Sequence, residues 1–121
     1  MIRPNRILVI VLLLIGACSH VSREDTIKTA LIATNAARDA YVQHDATAQA
    51  QIVESATSLE DGKAKLAEYR AKRDKVMLLF PVVYYTIVAA TQANDDASLN
   101  KMKTALKAML DVVMPLLGGS L

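Results

Sequence analysis

The stretch VMLLFPVVYYTIVAA, residues 76–90, decides the fold of this chain because it contains no charged side chain. A helix that is apolar on nearly every face is either buried on all sides or surrounded by lipid. Fifteen residues are short for a membrane span, which needs about 20. We therefore expect this stretch to be covered by two neighbouring helices, and the alternative is a second membrane segment.

Capping signals on both sides of this stretch divide the chain into helices. The sequences SRED at 22–25 and SLED at 58–61 have the pattern of N-terminal capping boxes, and NDD at 94–96 offers further N-caps. Alanine is abundant here and glycine is scarce, which favours helix. The predicted helices cover residues 23–55, 59–91 and 97–117.

Two prolines and a glycine pair are expected to shape these helices. Pro81 cannot donate a backbone hydrogen bond to the Met77 carbonyl, so it should kink the second helix. Pro115 and Gly118-Gly119 are expected to end the third.

Apolar residues recur at spacings of three and four along each predicted helix, which indicates one buried stripe per helix. The stripe of the first helix is Ile27, Leu31, Thr34, Ala37, Tyr41, Ala48 and Ile52. The stripe of the second is Leu59, Leu66, Tyr69, Met77, Phe80, Tyr84 and Ile87. The stripe of the third is Leu99, Met102, Leu106, Met109, Leu110 and Val113.

The helix lengths predict the architecture. At 1.5 Å per residue, the first two helices are each roughly 50 Å long and the third is roughly 30 Å. The short connection makes the first two antiparallel, and level-matching puts residues 97–117 beside 73–92 and those beside 23–42. The predicted fold is all-α: a long antiparallel hairpin with a third, shorter helix on its membrane-proximal half, forming a three-helix bundle. Residues 43–72 would then form a thin two-helix tip.

The N-terminal residues have the layout of a secretory signal peptide. Two arginines precede an apolar run at 7–15, and LLIGACSH at 13–20 contains the only cysteine. The sequence Ile15-Gly16-Ala17-Cys18 resembles the lipobox of bacterial lipoproteins. The resemblance implies that residues 1–17 are removed and that Cys18 is acylated as the first residue of the mature chain. The alternatives are a signal peptide with a chance cysteine and an uncleaved anchor.

The lipobox resemblance also implies a location. In such lipoproteins an aspartate directly after the cysteine tends to cause retention in the inner membrane, so Ser19 favours the outer membrane in a host with two membranes. The predicted organisation is a signal peptide at 1–17, an acylated cysteine with a short tether at 18–22, one helical domain at 23–117 and a C-terminal tail at 118–121. The tether is too short to let the domain reach far from the membrane.

The charge of the mature chain does not indicate a nucleic-acid partner. The formal charge of +2 comes from Arg3 and Arg6, and the remaining residues carry 12 basic and 12 acidic side chains. The basic run at 63–75 contains one aromatic residue, which is too few for a platform on which bases stack.

That basic run supplies the predicted partner-binding residues. The candidate ligands are anionic lipid, lipopolysaccharide or an acidic protein. The alternative is a solvated helix face with pairs such as Glu68 and Lys72. The candidate residues are Lys63, Lys65, Tyr69, Arg70, Lys72 and Arg73.

His44 and Asp45 form the only histidine–carboxylate pair of the predicted domain. Level-matching puts them near Arg70 and Arg73, and no histidine pair at metal-ligand spacing or carboxylate cluster accompanies them. We interpret them as a structural polar pair that fixes the helix register. The sequence predicts no catalytic residue, no metal ligand and no cofactor.

These observations predict a lipid-anchored helical envelope protein that faces the periplasm and acts as a structural or accessory binding protein, not as an enzyme. Acyl chains on Cys18 would anchor it in the membrane. Residues 46–69 would bind a protein partner or a second copy of the chain. The alternative is an exclusion or immunity lipoprotein of phage or plasmid type that blocks an envelope receptor or channel. Residues 45–69 also resemble small helical proteins of bacterial and phage gene sets, a resemblance to which no activity is attached.

Overall fold

The computed structural model describes residues 22–118. This part of the chain contains helices and no strand, so the predicted all-α bundle is confirmed. The helices are α1 (Arg23–Ser55), α2 (Leu59–Met77), α3 (Leu79–Ala93) and α4 (Asp96–Leu116). The lipobox, Cys18 and the last three residues lie outside the described residues.

Side-chain caps set three of the helix starts where the sequence predicts them. A serine or aspartate oxygen accepts a hydrogen bond from a backbone N–H three residues later, which satisfies a donor that the first turn leaves free. The donors are the N–H groups of Asp25, Asp61 and Ser98, which bond to Ser22, Ser58 and Asp95 at 3.1, 3.1 and 2.7 Å.

The predicted kink at Pro81 is confirmed. Helices α2 and α3 are two pieces of one long helix that is interrupted at Leu78, within the turn that precedes Pro81. The proline has no N–H to bond to the Met77 carbonyl, whereas the Leu78 N–H still donates to the Asp74 carbonyl at 3.1 Å. The chain therefore bends at this point without a loop.

The third predicted helix, α4, ends within one residue of the predicted residue 117. Pro115 lies in the last turn of α4, which continues to Leu116. Its fixed φ suits a helix, and near the end only one backbone bond is lost. Gly118, two residues after the last helical residue, has a left-handed φ of 106°, as is common just after a helix C-terminus.

The hydrophobic core is confined to α3, α4 and the first half of α1. All of its fully buried residues lie between Ala30 and Tyr41 or between Phe80 and Met114, and α2 supplies none. They are Ala30, Ala33, Ala36, Ala37, Tyr41, Phe80, Val83, Ile87, Ala90, Met102, Leu106, Met109, Leu110, Val113 and Met114.

Two residues of the predicted stripes are misplaced. Leu31 is exposed because the buried face of α1 is made of alanines such as Ala30, Ala33 and Ala37. Each residue turns the helix by about 100°, so Leu31 lies outside that face. Small side chains let α1 approach α3 and α4 closely. Leu59 is 74% exposed, since it lies in the first turn of α2, beyond the reach of α4.

The prediction that residues 76–90 are buried on all sides is wrong. Phe80, Val83, Ile87 and Ala90 are buried, but the opposite face of α3 is exposed. Only two helices, α1 and α4, pack along α3, and two neighbours cannot surround a helix. The N-terminal end of α1 lies beside the far end of α3, so the chain enters the bundle at that end.

Candidate binding surfaces

A polar cluster joins α1 and α2 at the level where the core ends. Asp45 Oδ2 lies 3.9 Å from Arg73 Nη1 and accepts a hydrogen bond from Gln49 Nε2 at 3.0 Å. Arg70 Nε donates to Gln49 Oε1 at 3.1 Å. Arg73 also pairs with Asp74 at 3.0 Å. These contacts hold the two helices at one register.

Two tyrosines lie on the inner side of this cluster. Burial raises the pKa of Tyr41, and the negative charge of Asp45 raises it further. The pKa of Tyr69 is raised well above its usual range, first by burial and then by Asp45. Tyr69 Oη and Asp45 Oδ1 are buried and have no hydrogen-bond partner within residues 22–118.

His44 makes different contacts from its neighbour Asp45. Its ring is half-buried and tilted against Tyr41, with ring centroids 6.2 Å apart. No hydrogen bond or ion pair joins it to another side chain in the described range. Over the same range no group of three His, Cys, Asp or Glu side chains gathers closely enough to hold a metal ion.

The predicted partner-binding residues are divided between two sides of α2. Lys63 and Arg70 are seven residues apart and share one side, while Lys65 and Lys72 share the other. Tyr69 lies between these sides, half-buried towards α1. The structure therefore does not gather the six residues into one patch.

These cations also differ in whether they form an ion pair. Lys65 pairs with Asp61 at 3.1 Å and Lys72 pairs with Glu68 at 3.7 Å. Lys63 is exposed and makes no ion pair within the described part of the chain. The side with Lys63 and Arg70 also carries Glu60 and Asp74, so it has cations without an ion-pair partner but no net excess of positive charge.

An exposed apolar surface lies on α3. Leu78, Val82, Tyr85 and Val88 are 67, 56, 77 and 52% exposed, and their spacings of four, three and three put them on one side of the helix. We call these four residues, of which Leu78 lies at the bend just before α3, the outer face of α3. The bent helix Leu59–Ala93 is long and apolar enough to cross a membrane, yet only 22% of its most apolar 18 residues are buried.

Two shallow grooves border α3 on the side of α1. One has a volume of about 560 Å³, and the other, at the far end of α3, about 320 Å³. The Tyr84 hydroxyl, beside the first groove, donates to Asn35 Oδ1 of α1. The first groove is lined by Arg38, Met77, Phe80, Pro81 and Tyr84, and the second by Arg23, Glu24, Ile27, Lys28, Thr91 and Asn94.

Arg23 fastens the start of α1 to the end of α3. Its Nη2 donates to the Ala90 carbonyl at 2.6 Å and its Nη1 to the Asp95 carbonyl at 2.7 Å. A guanidinium at a helix C-terminus satisfies free carbonyls and is favoured by the helix dipole. Sequence reasoning missed this contact, although level-matching puts residue 23 beside residue 92.

Comparisons with protein families, with curated proteins and with solved structures find no match for this chain.

Proposed function

We propose that this protein is a lipid-anchored helical protein of the bacterial envelope that faces the periplasm and acts as a structural or accessory binding subunit. The sequence Ile15-Gly16-Ala17-Cys18 supports the membrane attachment. The confinement of the core supports the binding role, because residues 42–77 project beyond it as a two-helix extension.

The extension has little that stabilises it alone. No residue of α2 is buried, and Val53 and Leu59 are exposed. Two helices with so thin a seam are marginal in isolation. A partner that covered them would add the apolar contact that the seam lacks.

Two cations without an ion-pair partner favour contact with an acidic group, although residues 42–77 carry six basic and six acidic side chains in all. Lys63 and Arg70 are exposed on one side of α2, and no carboxylate pairs with either within residues 22–118. Complementary charge at an interface accelerates association and selects the partner. A second copy of this chain could bind in the same place through its own carboxylates.

The attachment is tested by Cys18→Ser in the native host. We expect a soluble or uncleaved precursor without an acyl chain, whereas the unchanged protein is recovered from membranes with an acylated N-terminal cysteine. Ser19→Asp is the matched control, which should keep the acyl chains and change only the membrane. Mass spectrometry that finds an intact, unmodified N-terminus on the membrane form would contradict the proposal.

The binding role is tested by a photo-crosslinking residue placed at Lys63 and, as a control, at Asn100 of α4. We expect crosslinks from position 63 to one protein or to a second copy, and we expect Arg70→Glu to reduce them. Lys101→Glu, on exposed α4, should leave them unchanged. Crosslinks from position 100 alone would contradict the role. A crosslinked receptor or channel would favour a blocking lipoprotein over an accessory subunit.

A further inference from the structure

We infer that the outer face of α3 lies on the lipid surface to which the chain is anchored, with α3 in the plane of the interface. The inference rests on the proposed membrane attachment. It assigns a ligand class, the acyl and headgroup boundary of a bilayer, to a surface that the protein core leaves uncovered.

The chemistry of the face suits this boundary. Leu78, Val82 and Val88 supply an aliphatic stripe, and Tyr85, the most exposed of the four, has an apolar ring with a polar tip. Tyrosine is enriched at the level of lipid headgroups, and a helix with one apolar side binds in the plane of the interface. A span is incompatible with the opposite side of α3, because Phe80 and Ile87 pack in the core.

The position of the chain entry brings this face to the membrane. Arg23 bonds to the Ala90 carbonyl, so the start of α1 is fixed two residues beyond Val88 on α3. Five extended residues, from Cys18 to Ser22, span at most about 17 Å. An acyl chain on Cys18 could therefore be no farther than this from the start of α1, which lies at the level where the outer face ends.

Cations stand beside the face as expected for an anionic surface. Lys75 is exposed one turn before Leu78, and Arg38 and Lys28 line the grooves on the α1 side. Asp74 is also exposed, four residues before Leu78, and pairs with Arg73. Glu24 shares the second groove with Lys28. Basic residues close to an anionic membrane surface are attracted to it.

Two alternatives to lipid fit the outer face less well: a second copy of this chain and the N-terminal apolar run. Four side chains over three turns are far short of the ~800 Å² that each partner buries in a standard stable interface, so a second copy is disfavoured. The apolar run at 7–15 is removed in the proposed mature chain. Lipid requires no matching partner surface, and the proposed acyl anchor supplies the affinity that four side chains lack.

The inference sets the orientation of the whole protein. The bundle lies on its side, and the extension at 42–77 runs along the membrane instead of standing away from it. A partner that binds Lys63 and Arg70 would then bind them at the membrane surface.

The experiment uses the acylated protein in vesicles of phosphatidylethanolamine and phosphatidylglycerol. The chain has no tryptophan, so Tyr85→Trp introduces a single fluorescent reporter on the outer face. Ile32→Trp is the matched control, since Ile32 is 57% exposed on the side of α1 opposite its buried alanines. We expect brominated acyl chains to quench the Tyr85→Trp reporter and shift its emission to the blue, and to leave the Ile32→Trp reporter unchanged.

Two other reporter results would overturn the inference, and a flotation experiment shows which part of it has failed. Equal emission of the two reporters, quenched or unquenched, would show that α3 has no preferred contact with lipid. A blue shift at position 85 without quenching by bromine would show that protein covers the face, from a second copy or from the N-terminal segment. Flotation of the vesicles separates the failures: protein that fails to float refutes the membrane attachment, whereas protein that floats with an unquenched reporter refutes only the orientation of α3.

Discussion

At the scale of residues, two aromatic side chains five positions apart in α3 have opposite surroundings. Phe80 is 1% exposed and packs against Tyr41, with ring centroids 6.2 Å apart, whereas Tyr85 faces outwards. We expect Phe80→Ala to lower the free energy of unfolding by about 3–5 kcal/mol because it leaves a cavity. Tyr85→Ala should change it by less than about 0.5 kcal/mol. Urea unfolding in mild detergent measures both values. An unchanged stability of Phe80→Ala would mean that α3 does not form the core.

The guanidinium of Arg23 is a second residue whose loss should be measurable. It makes two hydrogen bonds that tie α1 to the α3–α4 connection. We expect Arg23→Met to cost about 1–2 kcal/mol, since hydrogen bonds to charged groups are stronger than neutral ones but this side chain is partly exposed. Lys28→Met, one turn later, is the control and should cost little. If the two variants unfold at the same urea concentration, the clamp does not contribute to stability.

At the scale of elements, the connection between α1 and α2 is held by a carboxylate that titrates. The Thr57 N–H donates to Asp61 Oδ2 at 3.0 Å, which lowers the pKa of Asp61, and Lys65 lowers it further. A lowered folded pKa stabilises the fold above the unfolded value of about 3.9, and this contribution is lost as the pH falls through the folded value. Proton NMR should show the Thr57 N–H shifting with a midpoint below the ordinary pKa of aspartate. The shift should vanish in Asp61→Asn, and a midpoint at or above the ordinary value would contradict the contact.

The two-helix extension is a second element with a testable property. Residues 42–77 supply none of the buried core residues, whereas α3 contributes four. We expect amide hydrogens of residues 46–69 to exchange faster than those of residues 76–90 in the purified monomer, because local opening exposes little apolar surface. Equal protection would show that the extension is stable by itself, and the reason for it to need a partner would disappear.

At the scale of the whole molecule, the core and the extension should be separable. Residues 46–69 can be replaced by a short glycine-serine linker, because packed helices lie about 8–10 Å apart, a gap that four residues can span. We expect the shortened chain to stay helical and to unfold cooperatively, since every core residue is retained. We also expect it to lose the crosslinks from α2. Loss of cooperative unfolding, followed by circular dichroism, would show that the extension belongs to the core.

The sequence by itself determined the features that depend on near neighbours along the chain. Ser22, Ser58 and Asp95 each cap a helix through a group three residues away, so their role is visible locally. The bend before Pro81 likewise follows from one missing N–H. The level of Asp45 opposite Arg73 could be estimated from helix lengths, because the rise per residue is constant.

Only the tertiary structure decided which faces are covered. Burial depends on how many helices pack around a residue and from which direction, and neither is encoded in local hydrophobicity. This is why alanines occupy the buried face of α1 while Leu31 is exposed, and why α3, apolar all round, keeps its outer face uncovered. The bond from Arg23 to the Ala90 carbonyl joins residues 67 positions apart. It exists only because the start of α1 lies at the same level as the end of α3.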